Sequence, residues 1–459
     1  MEGRGLICNL RYAPVAANFR EKFVHNNVLF SLVQEVTEKL GDETWQNLMR
    51  QYVLGPLGMK SAWFAGPSMV AMRQGKTIAD GAVHHAGQNY FLDSKTYDGL
   101  EMIAPAASLC MSARDMYQWF LFLLKEGAVE TSRGSRQLIS RETLQMLFQG
   151  IQARGQDGDP VTEGYRQPHV QASYTRTMNS LGFITGSYRG YEFVSQDGSL
   201  PGYQSLATII PNKNMAVFFT LLGDEKPKNF VSKVLMNIVG LDMMLQEDTW
   251  IKPQKVCSLM DNLEQLHTKQ KTSPLWKTRG PINDRPAEDY AQTYKNWAFG
   301  DVVVRHNISG NSYLTLEYGK MSYRLQRTNL QNDTFLMQAI EGPLWYSTNA
   351  DWYRNHNNLY AIFAAAPVHT DEEDDDDDDD SEEDKDDEKH HMERVMNVTI
   401  AGFDSHSDPV FAINARRPAY ERERRPNMEC SAPSSQLSSP TILCVWAITL
   451  ILSVSPLFR

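Results

Sequence analysis

The 459-residue chain is poor in cysteine and in the short signatures that mark common catalytic and metal sites. Its five cysteines, Cys8, Cys110, Cys257, Cys430 and Cys444, are widely spaced. No Cys-x-x-Cys occurs, which argues against a zinc site or a disulfide scaffold and leaves one disulfide open and unassigned. There is no Gly-x-Ser-x-Gly elbow and no His-Glu-x-x-His. Gln74-Gly75-Lys76-Thr77 ends like a phosphate loop, but the required first glycine is Val70, so that reading fails. His84-His85 and His390-His391 are adjacent pairs, not ligands spaced on one helix face. No specific metal site and no cofactor are expected. A basic stripe with interleaved aromatics is missing too, so nucleic acid is not an expected partner.

The start, MEGRGLICNL, lacks an apolar core long enough for a secretory signal. The net charge of −11 hides two unlike parts. Asp371 to Glu388 holds 16 acidic residues and one lysine, which is −15. The remainder holds 40 acidic and 44 basic residues, which is +4. The body is near neutral, and a like-charge block of that size is expected to stay solvated and disordered over 370–391. The run Asp374 to Asp380 could collect Ca²⁺ loosely or meet a basic partner, but it lacks the glycine and spacing of a shaped calcium loop.

The only long apolar run lies at the end, Thr441 to Phe458. Its uninterrupted part, Ile442 to Val454, falls short of the ~20 residues a span needs. Small residues at Cys430-Ser431-Ala432, a polar spacer and this tail fit a GPI-attachment signal. A single span and a buried tail are the alternatives. Arg416, Arg417, Arg422, Arg424 and Arg425 would sit outside and disfavour a type I helix. Three sequons, Asn307-Ile-Ser309, Asn332-Asp-Thr334 and Asn397-Val-Thr399, cluster after residue 300. Together these place the expected location at the extracellular face of the plasma membrane, or secreted.

Helical spacing of Val28, Leu29, Leu32, Val33, Val36 and Leu40 predicts a helix stopped by Gly41, with Asp42 as the N-cap of the next. Trp45, Leu48, Met49 and Tyr52 form one apolar face of that second helix. Ser112-Ala-Arg-Asp115 reads as a capping box before Met116, Trp119, Phe120, Leu123 and Leu124. From 181 to 222 the period changes to strands: Phe183-Ile184, Tyr191 to Val194, Tyr203 to Ile210 and Met215 to Leu222. Gly198, Pro201-Gly202 and Pro211 to Asn214 are read as their separators, giving an antiparallel meander. Helix returns over 228–245, and a linker follows. Short strands near Val302, Tyr313, Tyr323, Phe335, Tyr360, Val395 and Val410 predict a small barrel or sandwich. The expected domains are 1–250, a helix and linker at 251–283, a β-rich domain at 284–415, a polar tail at 416–440 and an apolar signal or anchor at 441–459.

Several segments in order carry a family resemblance. Phe19-Arg-Glu-Lys-Phe23 precedes His25-Asn26-Asn27, followed by Gly55-Pro-Leu-Gly-Met59. Then come Ala104-Pro-Ala-Ala-Ser108 with Ser112, Asp115 and Trp119, and finally Asp197-Gly198-Ser-Leu-Pro-Gly202-Tyr-Gln-Ser205. Residues from about 10 to 245 resemble the penicillin-binding-protein and class C β-lactamase-like superfamily. The resemblance implies an α/β (α+β) transpeptidase-like fold, an antiparallel sheet with helices, incomplete at the N-terminus. The part after 284 resembles the lipocalin-like β domain often appended to these proteins.

The family's chemistry needs Ser-x-x-Lys, with the lysine one turn on so that it can take the hydroxyl proton. No Ser-x-x-Lys occurs in this chain. Family order would put it before His25, so the chain is expected to begin after the nucleophile helix, with a sheet edge left exposed. The family's Tyr-x-Asn corresponds to His25-Asn26-Asn27. Asn27 matches, and His25 could do acid–base work but cannot replace a nucleophile. The Lys-Thr-Gly motif corresponds to Gln196-Asp197-Gly198. Gln196 cannot carry charge, Asp197 is expected to oppose an oxyanion, and Gly198 keeps the close-approach role. The leading expectation is an inactive relative whose vestigial cleft, formed by His25, Asn27, Gln196 and Gly198, takes a peptide or small-molecule ligand. The alternatives are a serine hydrolase whose nucleophile segment is missing from this sequence, and an acidic Ca²⁺- or matrix-interaction protein. Matrix roles occur among related β-lactamase-like proteins.

Overall fold

The computed structural model describes residues 7–65, 78–85, 88–154, 171–223, 227–252, 258, 285–308, 312–328, 333–342, 359–367, 393–401, 408–413 and 415. The chain divides near residue 272 into two compact units.

The first unit opens with helix α1 (Asn27–Gly41). Asn26 caps it by accepting from the Val28 and Leu29 amides at 2.9 and 3.2 Å. Asp42 is not the next N-cap. It ends α1 in a left-handed conformation, φ 48°, and Thr44 caps α2 (Trp45–Met49) instead. Gly41 is helical rather than a stop. A Cβ there would meet the Leu48 side chain at 2.7 Å, so its smallness serves the packing of α1 on α2. A π-helical turn, Arg50–Leu54, extends α2.

Two short strands, β1 (Trp63–Phe64) and β4 (Leu109–Cys110), pair with each other. Between them lie the hairpin β2 (Ala82–His85) and β3 (Gln88–Phe91), and helix α3 (Ala104–Ala107). The small residues of α3 are almost fully buried, and the Ser31 hydroxyl of α1 donates to the Met102 carbonyl at 2.7 Å. Ala104-Pro-Ala-Ala-Ser108 is thus a packing motif. Helix α4 (Ala113–Leu124) starts at Ser112, whose hydroxyl accepts from the Asp115 amide at 3.3 Å. The return arm of the expected capping box goes elsewhere: the Asp115 carboxylate takes the amide and hydroxyl of Ser61. The hairpin β5 (Ala128–Thr131) and β6 (Gly134–Gln137) precedes α5 (Arg141–Phe148).

A six-stranded antiparallel sheet follows: β7 (Gln152–Ala153), β8 (Tyr174–Asn179), β9 (Ile184–Tyr188), β10 (Tyr191–Leu200), β11 (Tyr203–Ile210) and β12 (Met215–Leu222), in chain order across the sheet. Gly198 is not a separator. It lies inside β10, in register with Ser205. Helix α6 (Pro227–Leu245) closes the domain.

Strand alternation divides the sheet between two cores. Val194, Ala207 and Ile209 join Trp45, Met49, Trp119 and Leu147 of the helical side. Phe193, Leu206, Ile210 and Val217 face Phe230, Val234, Ile238 and Leu241 of α6. A polar knot pins the end of α6. Buried Asp242 accepts from the Tyr188 hydroxyl and from Arg189 Nε, both at 2.7 Å, and Trp250 Nε1 donates to Tyr188 at 3.0 Å. Burial, then the bond to Asp242, pushes the Tyr188 hydroxyl far above the ordinary tyrosine range.

The second unit is a barrel, not a sandwich. Its strands are β13 (Thr293–Asn296), β14 (Gly300–Asn307), β15 (Tyr313–Tyr318), β16 (Met321–Arg327), β17 (Thr334–Glu341), β18 (Tyr360–Pro367), β19 (Glu393–Ala401) and β20 (Val410–Ala412). Pairing of Lys295 with Ala412 closes it. An eight-stranded barrel is just wide enough to be filled by side chains. Tyr290, Tyr294, Phe335, Phe363 and Phe411 are buried in it, and Tyr290 meets Phe335 and Phe363 edge-on at 5.1 and 4.9 Å. The Tyr290 hydroxyl donates to Asp333, which also faces Arg285 at 3.7 Å. β18 and β19 are antiparallel neighbours with Pro367 opposite Glu393. The acidic run is therefore the connection of a hairpin; its own residues lie outside those described.

Candidate functional site

The four residues expected to line a cleft come in two pairs. His25 is exposed and Asn27 is buried at the start of α1. His25 Nε2 stands 2.9 Å from Asn27 Oδ1, an acceptor, so that ring nitrogen carries the hydrogen. The His25 ring lies between Phe23 and Phe30, with centroids 6.4 and 6.2 Å away. Gln196 and Gly198 are two residues apart on β10 and point to the helical side, like Val194. A shared apolar cluster joins the two pairs: Val28 and Phe30 of α1 and Leu200 and Tyr203 of β10 and β11 all pack on Trp63, Tyr97, Leu100 and Ile103.

Asp197 does not oppose an oxyanion. By alternation it faces α6, away from the cleft. Its carboxylate accepts from Arg176 Nη2 at 3.0 Å and from Lys233 Nζ at 3.4 Å. Lys233, on α6, is 1% exposed and lies within 3.3–3.4 Å of Gln204 Oε1 and the Gly198 carbonyl. A cation and an anion are thus spent beneath the strand, while its cleft face offers an amide and a glycine. Lys233 was missed from sequence, although a lone lysine on the apolar face of Phe230, Val234 and Ile238 is the signal that marks it.

Tyr97 and Tyr203 were missed as well. Their rings lie 5.7 Å apart; Tyr97 donates to the Pro201 carbonyl at 2.8 Å and Tyr203 to the Ala79 carbonyl at 2.5 Å. Burial raises the Tyr203 hydroxyl above its ordinary value, with Cys110 and Asp80 adding to the rise and bonds to Tyr97 and Gly81 opposing it. The turn fits because Gly202, φ 78°, leaves room: a Cβ there would stand 2.6 Å from the Gly81 Cα.

Of the sequons, Asn307 and Asn397 lie on β14 and β19, each half-buried, and the Asn307 amide donates to Thr315 Oγ1 at 3.0 Å. Asn332, Cys430, Ser431 and Ala432 lie outside the described residues. Cys8 is disulfide-bonded and Cys110 is free. Among the described residues no group of His, Cys, Asp and Glu could hold a metal, and no helix is long and apolar enough to cross a membrane.

An antiparallel sheet covered on one side by a helical layer and on the other by α6 has the architecture of the β-lactamase and transpeptidase class. The sequence profile of the Beta-lactamase family matches residues 5–233, and the chain belongs to that family. Among curated relatives it is 21% identical over 266 residues to "Unguisins hydrolase ungD" of Aspergillus violaceofuscus, covering 56% of this chain and 45% of that protein. It is 29% identical over 115 residues to "Gigasin-6" of Magallana gigas, covering 23% of this chain and 34% of that protein. The chain thus spans less than half the length of either relative. Among solved structures, the octameric penicillin-binding protein homologue from Pyrococcus abyssi aligns with a TM-score of 0.38 at 13% identity, over 76% of this chain and 62% of that one. A penicillin-binding protein from Bacillus halodurans aligns at 0.37 and 16%, over 52% and 63%.

Proposed function

We propose that the β-lactamase-type domain binds a peptide or small molecule in the cleft between the start of α1 and the end of β10 without turning it over. The observation that carries this is the chemistry of β10. Where the family has a lysine, Gln196 carries no charge, and the Lys233 and Arg176 cations reach Asp197 on the opposite face of the strand. Ester and amide substrates incubated with the chain should hydrolyse no faster than in buffer. Turnover abolished by Asn27→Ala would overturn the reading.

A second reading, a serine hydrolase, is favoured by the hydrolase among the relatives. A longer transcript encoding Ser-x-x-Lys upstream of residue 1 would support it. The protein is further proposed to work outside the cell, secreted or held by its C-terminal tail. The sequons at Asn307 and Asn397 motivate this reading; a mobility shift after glycosidase, and release by a phosphatidylinositol-specific phospholipase, test it. The acidic run, as a hairpin connection, is a candidate for loose Ca²⁺ or a basic partner. Deletion of 371–388 without loss of Ca²⁺ binding would count against that role.

A further inference from the structure

A second concavity lies toward the other end of β10. It has a volume of about 540 Å³ and is lined by Phe148 of α5, Thr177, Thr185, Ser187 and Glu192 of β8 to β10, and Asn212 of the turn before β12. The described lining takes Glu192 to Val194 of β10 and includes none of His25, Asn27, Gln196 and Gly198; Glu192 is six residues, about 20 Å along a strand, from Gly198. The size falls in the range of small-molecule sites.

Its polar groups are held but largely unspent. Thr177 Oγ1 bonds the Thr185 carbonyl at 3.4 Å, and Ser187 Oγ shares a bond with Thr175 Oγ1 at 2.9 Å. The Glu192 carboxylate, the Asn212 amide and the Thr185 hydroxyl have no hydrogen-bond or ionic partner among the described residues. Glu192 is the one ionisable group among the described residues of the lining. The nearest lysine in sequence, Lys213, is turned to the ring of Tyr191, 4.8 Å from its centroid. Phe148 is half-buried, braced edge-on by Phe183 at 5.2 Å, and offers the remaining ring surface to the pocket. A carboxylate beside a ring attracts an ammonium group, and a row of hydroxyls and an amide pairs with hydroxyls.

We propose that this pocket binds a small protonated amine carrying several hydroxyls, an amino-polyol of monosaccharide size. The inference does not rest on the reading of the cleft. The test is a saturation-transfer NMR titration of the full chain with glucosamine and with glucose, repeated on Glu192→Gln. Glu192 is exposed, so an unchanged melting temperature certifies the variant's fold. Saturable glucosamine binding is expected, about tenfold weaker in Glu192→Gln because a charge-assisted bond is lost, with glucose about tenfold weaker on the parent chain. No saturable binding, equal binding of the two sugars, or an affinity unchanged by Glu192→Gln would each overturn the proposal.

Discussion

Replacing Asp197 with Asn tests how the third-motif strand is held. The change keeps the shape of the side chain and removes the charge facing Arg176, 7% exposed, and Lys233, 1% exposed. Removing one member of a buried ion pair costs about 3–5 kcal/mol, because a charge is left uncompensated. A domain of this kind holds about 5–15 kcal/mol in all, so the loss is a large share. At about 2–4 °C per kcal/mol, the melting temperature should fall by roughly 6–20 °C. Lys233→Met should cost less, since Asp197 keeps Arg176. The double variant should recover at least about 1 kcal/mol relative to the sum, because the uncompensated ammonium is gone. Urea unfolding of the four proteins measures all of this. Asp197→Asn within about 0.5 kcal/mol of the parent, or strict additivity, would refute the account of the buried network.

The Cys110 thiol is pushed by burial from 9.0 up to about 12. The folded state therefore holds its proton more tightly than the unfolded state. The stability this contributes is complete below about pH 9 and is lost as pH rises toward 12. At pH 8 a disulfide reagent should label Cys110 slowly in the native chain and quickly in urea; equal rates would contradict its burial. Gly202→Ala should cost at least about 2 kcal/mol, from left-handed backbone strain and the clash with Gly81. A shift under 0.5 kcal/mol by chemical denaturation would show that the turn yields. β12 pairs only with β11 among the described residues, and its sequence, MAVFFTLL, has neither charge nor proline. Such an edge invites strand addition, so the chain should self-associate in sedimentation velocity, and Thr220→Lys should reduce it. A monodisperse monomer at all concentrations would contradict this.

Periodicity carried much of the fold. The 3.6-residue pattern from Val28 to Leu40 and the alternation from Tyr203 to Leu222 reappear as α1, β11 and β12, but Leu29, Leu32 and Val36 of that pattern are exposed, and the buried positions of α1 are Asn27, Ser31 and Thr37. Punctuation by single residues carried less. Gly198 looks like a turn, yet Ser199 and Leu200 continue the ladder opposite Gln204 and Tyr203. Asp42 looks like an N-cap, but its left-handed backbone serves the end of α1. β13 was invisible because Thr293–Asn296 is short and polar, and pairing along its length with β14 and at Lys295 with β20 makes it a strand. Of the candidate site, motif order supplies His25, Asn27, Gln196 and Gly198 as expectations, whereas the contacts of Asp197 with Arg176 and Lys233 lie 21 and 36 residues apart along the chain. No local rule reports which face of a strand a helix lysine will reach.

The central claim is that the cleft recognises without acyl transfer. Intact-mass spectrometry of the full chain after incubation with a β-lactam in excess tests it most directly. The account predicts the unmodified mass throughout. A stoichiometric adduct on a serine, absent after denaturation before mixing, would contradict it and restore the hydrolase reading.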